Sequence, residues 1–290
     1  MATIVRQPIG EGTHVAWMAI CTALFAGCGF SIGATTDAPI DTPPDLPIDQ
    51  PPALPRVTDG LLGLWRFDEG MGATAADSGV PPAGMQPMNL TILPTIATTW
   101  VTGGLRINSQ ASLTSMTNPH ASRQIDTSKE VTIEAWITPA DVTQGAGAPD
   151  AGGQDFATVF SVAGSIVSRS ATIAQVGDHF TGRIRTTTDN NGLPEIASAP
   201  GSATTNVTHL VLVESATTRA LFVNGVRLMS TPVGTGTLGW DIHDVIRMGD
   251  EALYDRQWHG TLWLVALYDR ALTDAQVMQN RSAGHDCPSC

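Results

Sequence analysis

The chain has 290 residues, of which 42% are apolar and only 14% charged, and its net charge is −12 with Lys129 as the single lysine. No stretch forms a basic patch, which argues against nucleic acid or anionic headgroups as electrostatic partners. The residues from Gly60 onward suffice for one large all-β domain or two small ones, and they carry most of the negative charge.

In chain order the first feature is Val15 to Phe25, an apolar run too short to span a bilayer as a helix but of the length of a secretory h-region. It ends in Ala26-Gly27-Cys28, which resembles the lipobox of bacterial lipoproteins. The resemblance implies a signal over residues 1–27, cleaved before Cys28, whose thiol and new amine are acylated. An ordinary cleaved signal is the alternative. Thr35 to Val57 is rich in Pro and Asp and lacks a core-forming pattern, so residues 28–58 read as a semi-rigid tether. The expected address is the cell envelope, at the outer membrane or cell surface, with membrane attachment through the lipid.

The remaining chain, residues 59–290, alternates short apolar segments with Gly, Pro, Asn and Asp. Strands are expected at Leu61–Phe67, Asn89–Leu93, Leu105–Asn108, Val131–Thr138, Phe156–Val162 and Gly182–Thr188. Further strands are expected at Val207–Val213, Ala220–Val223, Val226–Ser230, Val245–Met248 and Thr261–Tyr268. Asn224-Gly225 supplies the two positive-φ positions of a type I′ hairpin turn. Gly145–Gly153 reads as a flexible loop, and one helix is expected at Thr273–Asn280, with Gly284 soon after its end. This pattern predicts an all-β fold: a two-sheet antiparallel jelly-roll sandwich with one short C-terminal helix plugging an open end.

Five blocks, in order, carry a family resemblance. Leu64-Trp-Arg-Phe-Asp-Glu-Gly70, followed by Ala76-Asp-Ser-Gly79, resembles the opening of laminin-G-like, concanavalin-A-like lectin/glucanase domains. Val131–Ile137, Thr208–Val213, Leu221–Gly225 and His259–Thr273 resemble the later strands, the Asn-Gly hairpin and the closing motif of that family. The resemblance implies a concanavalin-A-like sandwich and a structural calcium near the opening turn, with Asp68 and Asp77 as its ligands. In the closing motif Trp263 and Leu264 replace the family's Asp and Glu, which removes one ligand.

Retaining glycosidase chemistry needs two carboxylates about 5 Å apart, and no Glu-x-Asp-x-x-Glu or similar spacing occurs on one strand face. No Gly-x-Ser-x-Gly, His-Glu-x-x-His or phosphate loop is present either, so the expectation is a protein that is not an enzyme. Cys287 and Cys290 end the chain as Cys-Pro-Ser-Cys, and a small local disulfide formed on export is expected. Sugar binding by stacking requires exposed aromatics with polar groups at the rim. Trp240, Tyr254 and Trp258, with Asp241, His243, Asp250 and Arg256 among them, form the expected ligand site because they crowd the loop-rich stretch Gly239–His259. Trp65 and Trp136 are expected as structural aromatics, filling the sandwich or covering its outer sheet, with Trp136 on the face of its strand opposite the apolar row of Val131, Ile133, Ala135 and Ile137. The expected function is a surface-anchored binding module for polysaccharide, glycoconjugate or surface protein; a glycan-active hydrolase and a structural adhesion protein are the alternatives.

Overall fold

A computed structural model describes residues 54–81, 83–145, 156–165, 168–233, 236–251 and 255–285. The signal, Cys28, Tyr254, Cys287 and Cys290 lie outside the described residues, as do most of the expected tether and most of the Gly145–Gly153 loop.

The chain passes through β1 (Leu61–Trp65), β2 (Thr74–Ala75), β3 (Leu90–Leu93), β4 (Thr98–Val101), β5 (Gly104–Ile107) and β6 (Ser112–Ser115) before α1 (Pro119–Ser128). Next come β7 (Val131–Pro139), β8 (Ala157–Ser165), β9 (Ser168–Val176), β10 (His179–Ile184), β11 (Ile196–Ala197) and β12 (Thr208–Glu214). The hairpin β13 (Thr218–Val223) and β14 (Val226–Pro232) follows, then β15 (Val245–Met248), β16 (Gly260–Tyr268) and α2 (Asp274–Ala283). One eight-stranded sheet has the order β14-β13-β12-β7-β16-β5-β4, with β1 also paired to β16. The other runs β11-β10-β9-β8-β15-β6-β3-β2, so both are built from strands distant in sequence. This is the expected sandwich.

Alternation along the strands explains why the two sheets face each other. Ile133 and Ile137 on β7, Leu210 and Leu212 on β12 and Leu221 on β13 are buried together with Phe160, Val162, Ile173, Phe180 and Ile184 of the other sheet. The hairpin forms as the Asn-Gly pair predicts, with φ of 52° at Asn224 and 75° at Gly225. One expected strand shifts: β10 lies at His179–Ile184, earlier than the Gly182–Thr188 pattern suggested. The helix α1 is an addition to the expected fold; Asn118 caps it by accepting from Ala121 N, Pro119 sits in its first turn, and Lys129 ends it in the left-handed region.

Helix α2 corrects the expected end plug. It begins with a capping box between Thr273 and Gln276, as its sequence suggests, but it lies across the outer face of the first sheet. Val277 and Leu272 pack there with Val211, Val213, Ala220, Phe222, Leu264 and Tyr268. A short N-terminal strap completes this cover. Val57 N donates to Asn280 Oδ1 at 2.8 Å, Tyr268 Oη donates to the Val57 carbonyl at 3.2 Å, and Arg56 is buried. The folded part therefore starts before Asp59, inside the segment expected to be tether.

Candidate functional site

The stretch expected to bind ligand separates into three environments. Trp258 is 0% exposed and its Nε1 donates to Gln175 Oε1 at 3.0 Å, while Trp240 is 7% exposed; both belong to the central core. This corrects the expectation for both, because a ring without an open face cannot stack on a sugar. Asp241, His243 and Arg185 meet at the rim: Asp241 Oδ1 accepts from the His243 backbone at 2.9 Å, and Arg185 Nη1 approaches Oδ2 at 3.4 Å. No aromatic among the described residues joins them as a stacking partner.

Asp250 and Arg256 are buried, which removes them from any ligand reaching the surface. Glu251 is held by Arg169 and Arg256, and Phe156 sits under the guanidinium groups of Arg169, Arg183 and Arg256 at 5.2, 5.0 and 4.6 Å. Asp250 Oδ1 accepts from the Glu251 and Arg256 backbones, and Oδ2 has no partner. Burial pushes the Asp250 carboxyl up to about 7. The folded protein thus holds this proton more tightly than the unfolded chain, so stability falls as pH rises from about 4 through 7. Asp250→Asn is expected to be more stable than wild type at pH 8, by on the order of 2 kcal/mol, and nearly equal at pH 4 in urea titrations. A larger stabilisation at pH 4 would contradict this.

The calcium expectation does not fit the opening turn. Asp77 Oδ1 accepts from the backbones of Leu64 (2.9 Å) and Gly79 (3.0 Å), and Oδ2 from Met88 (2.9 Å), so its carboxylate staples the turn. Asp68 is exposed, and among the described residues no three His, Cys, Asp or Glu side chains come together to hold a metal. Hard-cation sites need several converging oxygens, and these two residues do not supply them.

A different surface has the geometry of a site. It is the part of the first sheet's outer face that carries Trp136 and Trp263, both half-buried. Side chains of β7 alternate, so Thr132, Glu134, Trp136 and Thr138 share this face. Trp263 reaches it through a β-bulge: the register with β7 shifts between Leu262 and Leu264, and Trp263 Nε1 donates to Thr138 Oγ1 at 2.8 Å. Its ring lies against Gly104 on β5, where an added Cβ would come within 2.6 Å of Trp263 Cε3. Only glycine allows that approach. His285 stands between the two indoles, 5.3 Å from each ring centroid.

Trp136 is fixed from below. Its Nε1 donates to Glu134 Oε1 at 3.1 Å and its ring stacks on His209 with centroids 4.5 Å apart. The same oxygen accepts from Arg56 Nη1 (2.5 Å) and His209 Nε2 (3.0 Å), while Oε2 accepts from Asn280 Nδ2 (2.7 Å). Burial would raise the Glu134 carboxyl, but Arg56 beside it and the bond from His209 hold it at about 2. One buried carboxylate therefore ties together the strap, α2 and the platform.

Two concavities lie on this side. A volume of about 470 Å³ is lined by Arg106, Asn108, Thr138, Thr205, His259 and Thr261 among others. Another, of about 580 Å³, is lined by Trp136, Val207, Asn224, Arg281 and Ser282. Thr138, Thr261 and Arg106 are register neighbours across β7, β16 and β5, so they form one lateral row beside Trp263. The sequence signal for this site was weak: Trp136 read as a structural aromatic of the sandwich or its outer sheet rather than a ligand contact, and Trp263 stood out only as a replaced acid.

The comparisons with known proteins agree with the two-sheet β-sandwich. Residues 110–278, more than half of the chain, match the family model of the concanavalin A-like lectin/glucanases superfamily, and the chain belongs to that family. No curated protein matches it. Among solved structures it is similar to the Trypanosoma rangeli sialidase in complex with sialic acid, at 13% identity and a TM-score of 0.56, covering 80% of this chain and 34% of that one. The binding domain of botulinum neurotoxin serotype D/C is similar at 8% identity and TM-score 0.57, covering 77% and 52%. The neurotoxin DC binding domain in complex with rat synaptotagmin II gives 9%, 0.54, 78% and 52%. The chain spans about a third of the sialidase and half of the toxin domains. At these identities the likeness shows the fold.

Proposed function

We propose that this protein is a non-catalytic carbohydrate-binding module, exported and anchored at a cell envelope through a lipid on Cys28, that holds its ligand against Trp136 and Trp263. The observation that carries the reading is the pair of half-exposed indoles, each locked by a hydrogen bond from its Nε1 and flanked by open, polar-lined concavities. A pyranose presents a C–H face to such a ring and its hydroxyls to the rim, and a rigid ring loses little entropy on binding. Among the described residues no carboxylate lines either concavity, so the described lining offers no acid/base pair for glycoside cleavage, which favours binding over hydrolysis.

Affinity gel electrophoresis against a panel of soluble polysaccharides tests this. Trp263→Ala is expected to weaken retention of a bound polymer by about 30-fold or more while the protein stays folded, with a smaller loss of Tm than Trp258→Ala because the Trp263 ring is half-buried and the Trp258 ring fully buried. Trp136→Phe keeps a ring while removing the bond to Glu134 and is expected to weaken retention less. Unchanged retention in both variants would overturn the assignment of the site.

A further inference from the structure

The charge around the two indoles differs in kind from that of the rest of the chain. The protein has 27 acidic and 15 basic residues, yet among the described residues no Asp or Glu lines either concavity, and each contains an exposed arginine, Arg106 in one and Arg281 in the other. Several other arginines are paired with carboxylates, as Arg169 is with Glu251, Arg183 with Glu195 and Arg219 with Glu214. Among the described residues Arg106 and Arg281 have no carboxylate within ion-pair distance.

The nearby described acids are hydrogen-bonded within the protein. Glu134, beneath Trp136, is buried and paired with Arg56. Asp141, one residue beyond the lining residue Ala140, turns its Oδ1 to the backbone and hydroxyl of Thr143, both at 2.7 Å. The face thus offers guanidinium donors and hydroxyls beside the aromatic platform, with no carboxylate among its described lining residues. In a chain of net charge −12, an anionic ligand meets long-range repulsion, against which these guanidinium groups supply a local attraction.

We propose that this face selects sugars bearing carboxylate or sulfate groups, Arg106 and Arg281 contacting the anionic groups while Trp136 and Trp263 take the rings. The inference rests on the platform being the binding site. Guanidinium groups present planar paired donors that suit both carboxylate and sulfate, so the chemistry is shared and the probes separate the sources.

The test measures binding of the full-length protein to immobilised polygalacturonate and to its methyl ester, and to dextran sulfate and dextran. The charged member of at least one pair is expected to bind about tenfold more tightly than the neutral one, and the pair that discriminates identifies carboxylate or sulfate. Arg106→Gln and Arg281→Gln are each expected to weaken that binding by about threefold to tenfold, leaving the melting temperature in place because both side chains are exposed. Equal binding of charged and neutral members, or charged binding indifferent to both arginine variants, would overturn the proposal. Binding of neutral polymers that is lost only in Trp263→Ala would overturn it while leaving the platform standing. Charged binding that falls with the arginines but survives Trp263→Ala would remove the platform and leave the charge selection. No binding to any of the four would overturn both.

Discussion

Replacing Glu134 with Gln is expected to cost about 3–5 kcal/mol of unfolding free energy at pH 7, measured by urea titration. Glu134 is 0% exposed and accepts from Arg56, His209, Trp136 and Asn280. The neutral amide keeps the volume but leaves the Arg56 guanidinium buried without its counter-charge, and one of its amide hydrogens faces donors. The carboxyl is held at about 2, below its ordinary value, so its contribution is complete above the unfolded value near 4.5 and is lost as pH falls toward 2. The gap between wild type and variant should therefore narrow on acidification below about pH 4. A gap that is independent of pH would mean that packing, not charge, sets the loss. The same variant should loosen Trp136 by removing its charged acceptor.

The second large effect is expected at Trp258. This indole lies in the core between the sheets, and its ring is met by Gly260, where an added Cβ would come within 2.4 Å of Trp258 Cη2. Trp258→Ala empties that space and removes the Nε1 hydrogen that Gln175 Oε1 accepts at 3.0 Å, leaving that buried oxygen the longer 3.3 Å bond from Gln144 Nε2. The expected loss is about 3–5 kcal/mol, with Trp240→Ala smaller because that ring keeps 7% exposure. Thermal unfolding monitored by circular dichroism reads both. Near-wild-type stability of Trp258→Ala would place this ring at the surface and restore the loop cluster as a ligand site.

The sandwich was legible because β-strand alternation and turn residues are local signals. Val131–Thr138 shows its inner row directly, and Asn224-Gly225 announces its hairpin. Strand β9 was less visible, since Ser-Arg-Ser-Ala-Thr-Ile-Ala-Gln-Val is small and polar, and both of its faces are buried. The strap was hidden for a similar reason: Arg56 and Val57 close a Pro-rich run and gain their meaning only from Asn280 and Glu134, far along the chain.

The site was harder to read. Trp258 looked exposed because loop-forming residues surround it, but its acceptor Gln175 is 83 positions away and its burial is a tertiary fact. The alternation put Trp136 on the outer face, and no local pattern reveals that α2 and the strap leave its ring half-covered. Trp263 depends on a one-residue bulge and on Gly104 of a neighbouring strand, and neither has a signature in the sequence around it. Composition did indicate an acidic chain; the two concavities whose described lining holds no acid needed the fold to assemble them.

The most direct measurement is a nuclear magnetic resonance titration of the indole N–H signals with a polysaccharide fragment retained in the affinity gels. The account predicts that the Nε1–H resonances of Trp136 and Trp263 shift with saturation while those of Trp65, Trp240 and Trp258, whose rings are buried, stay in place. Shifts confined to the buried set, or binding that moves neither Trp136 nor Trp263, would contradict it.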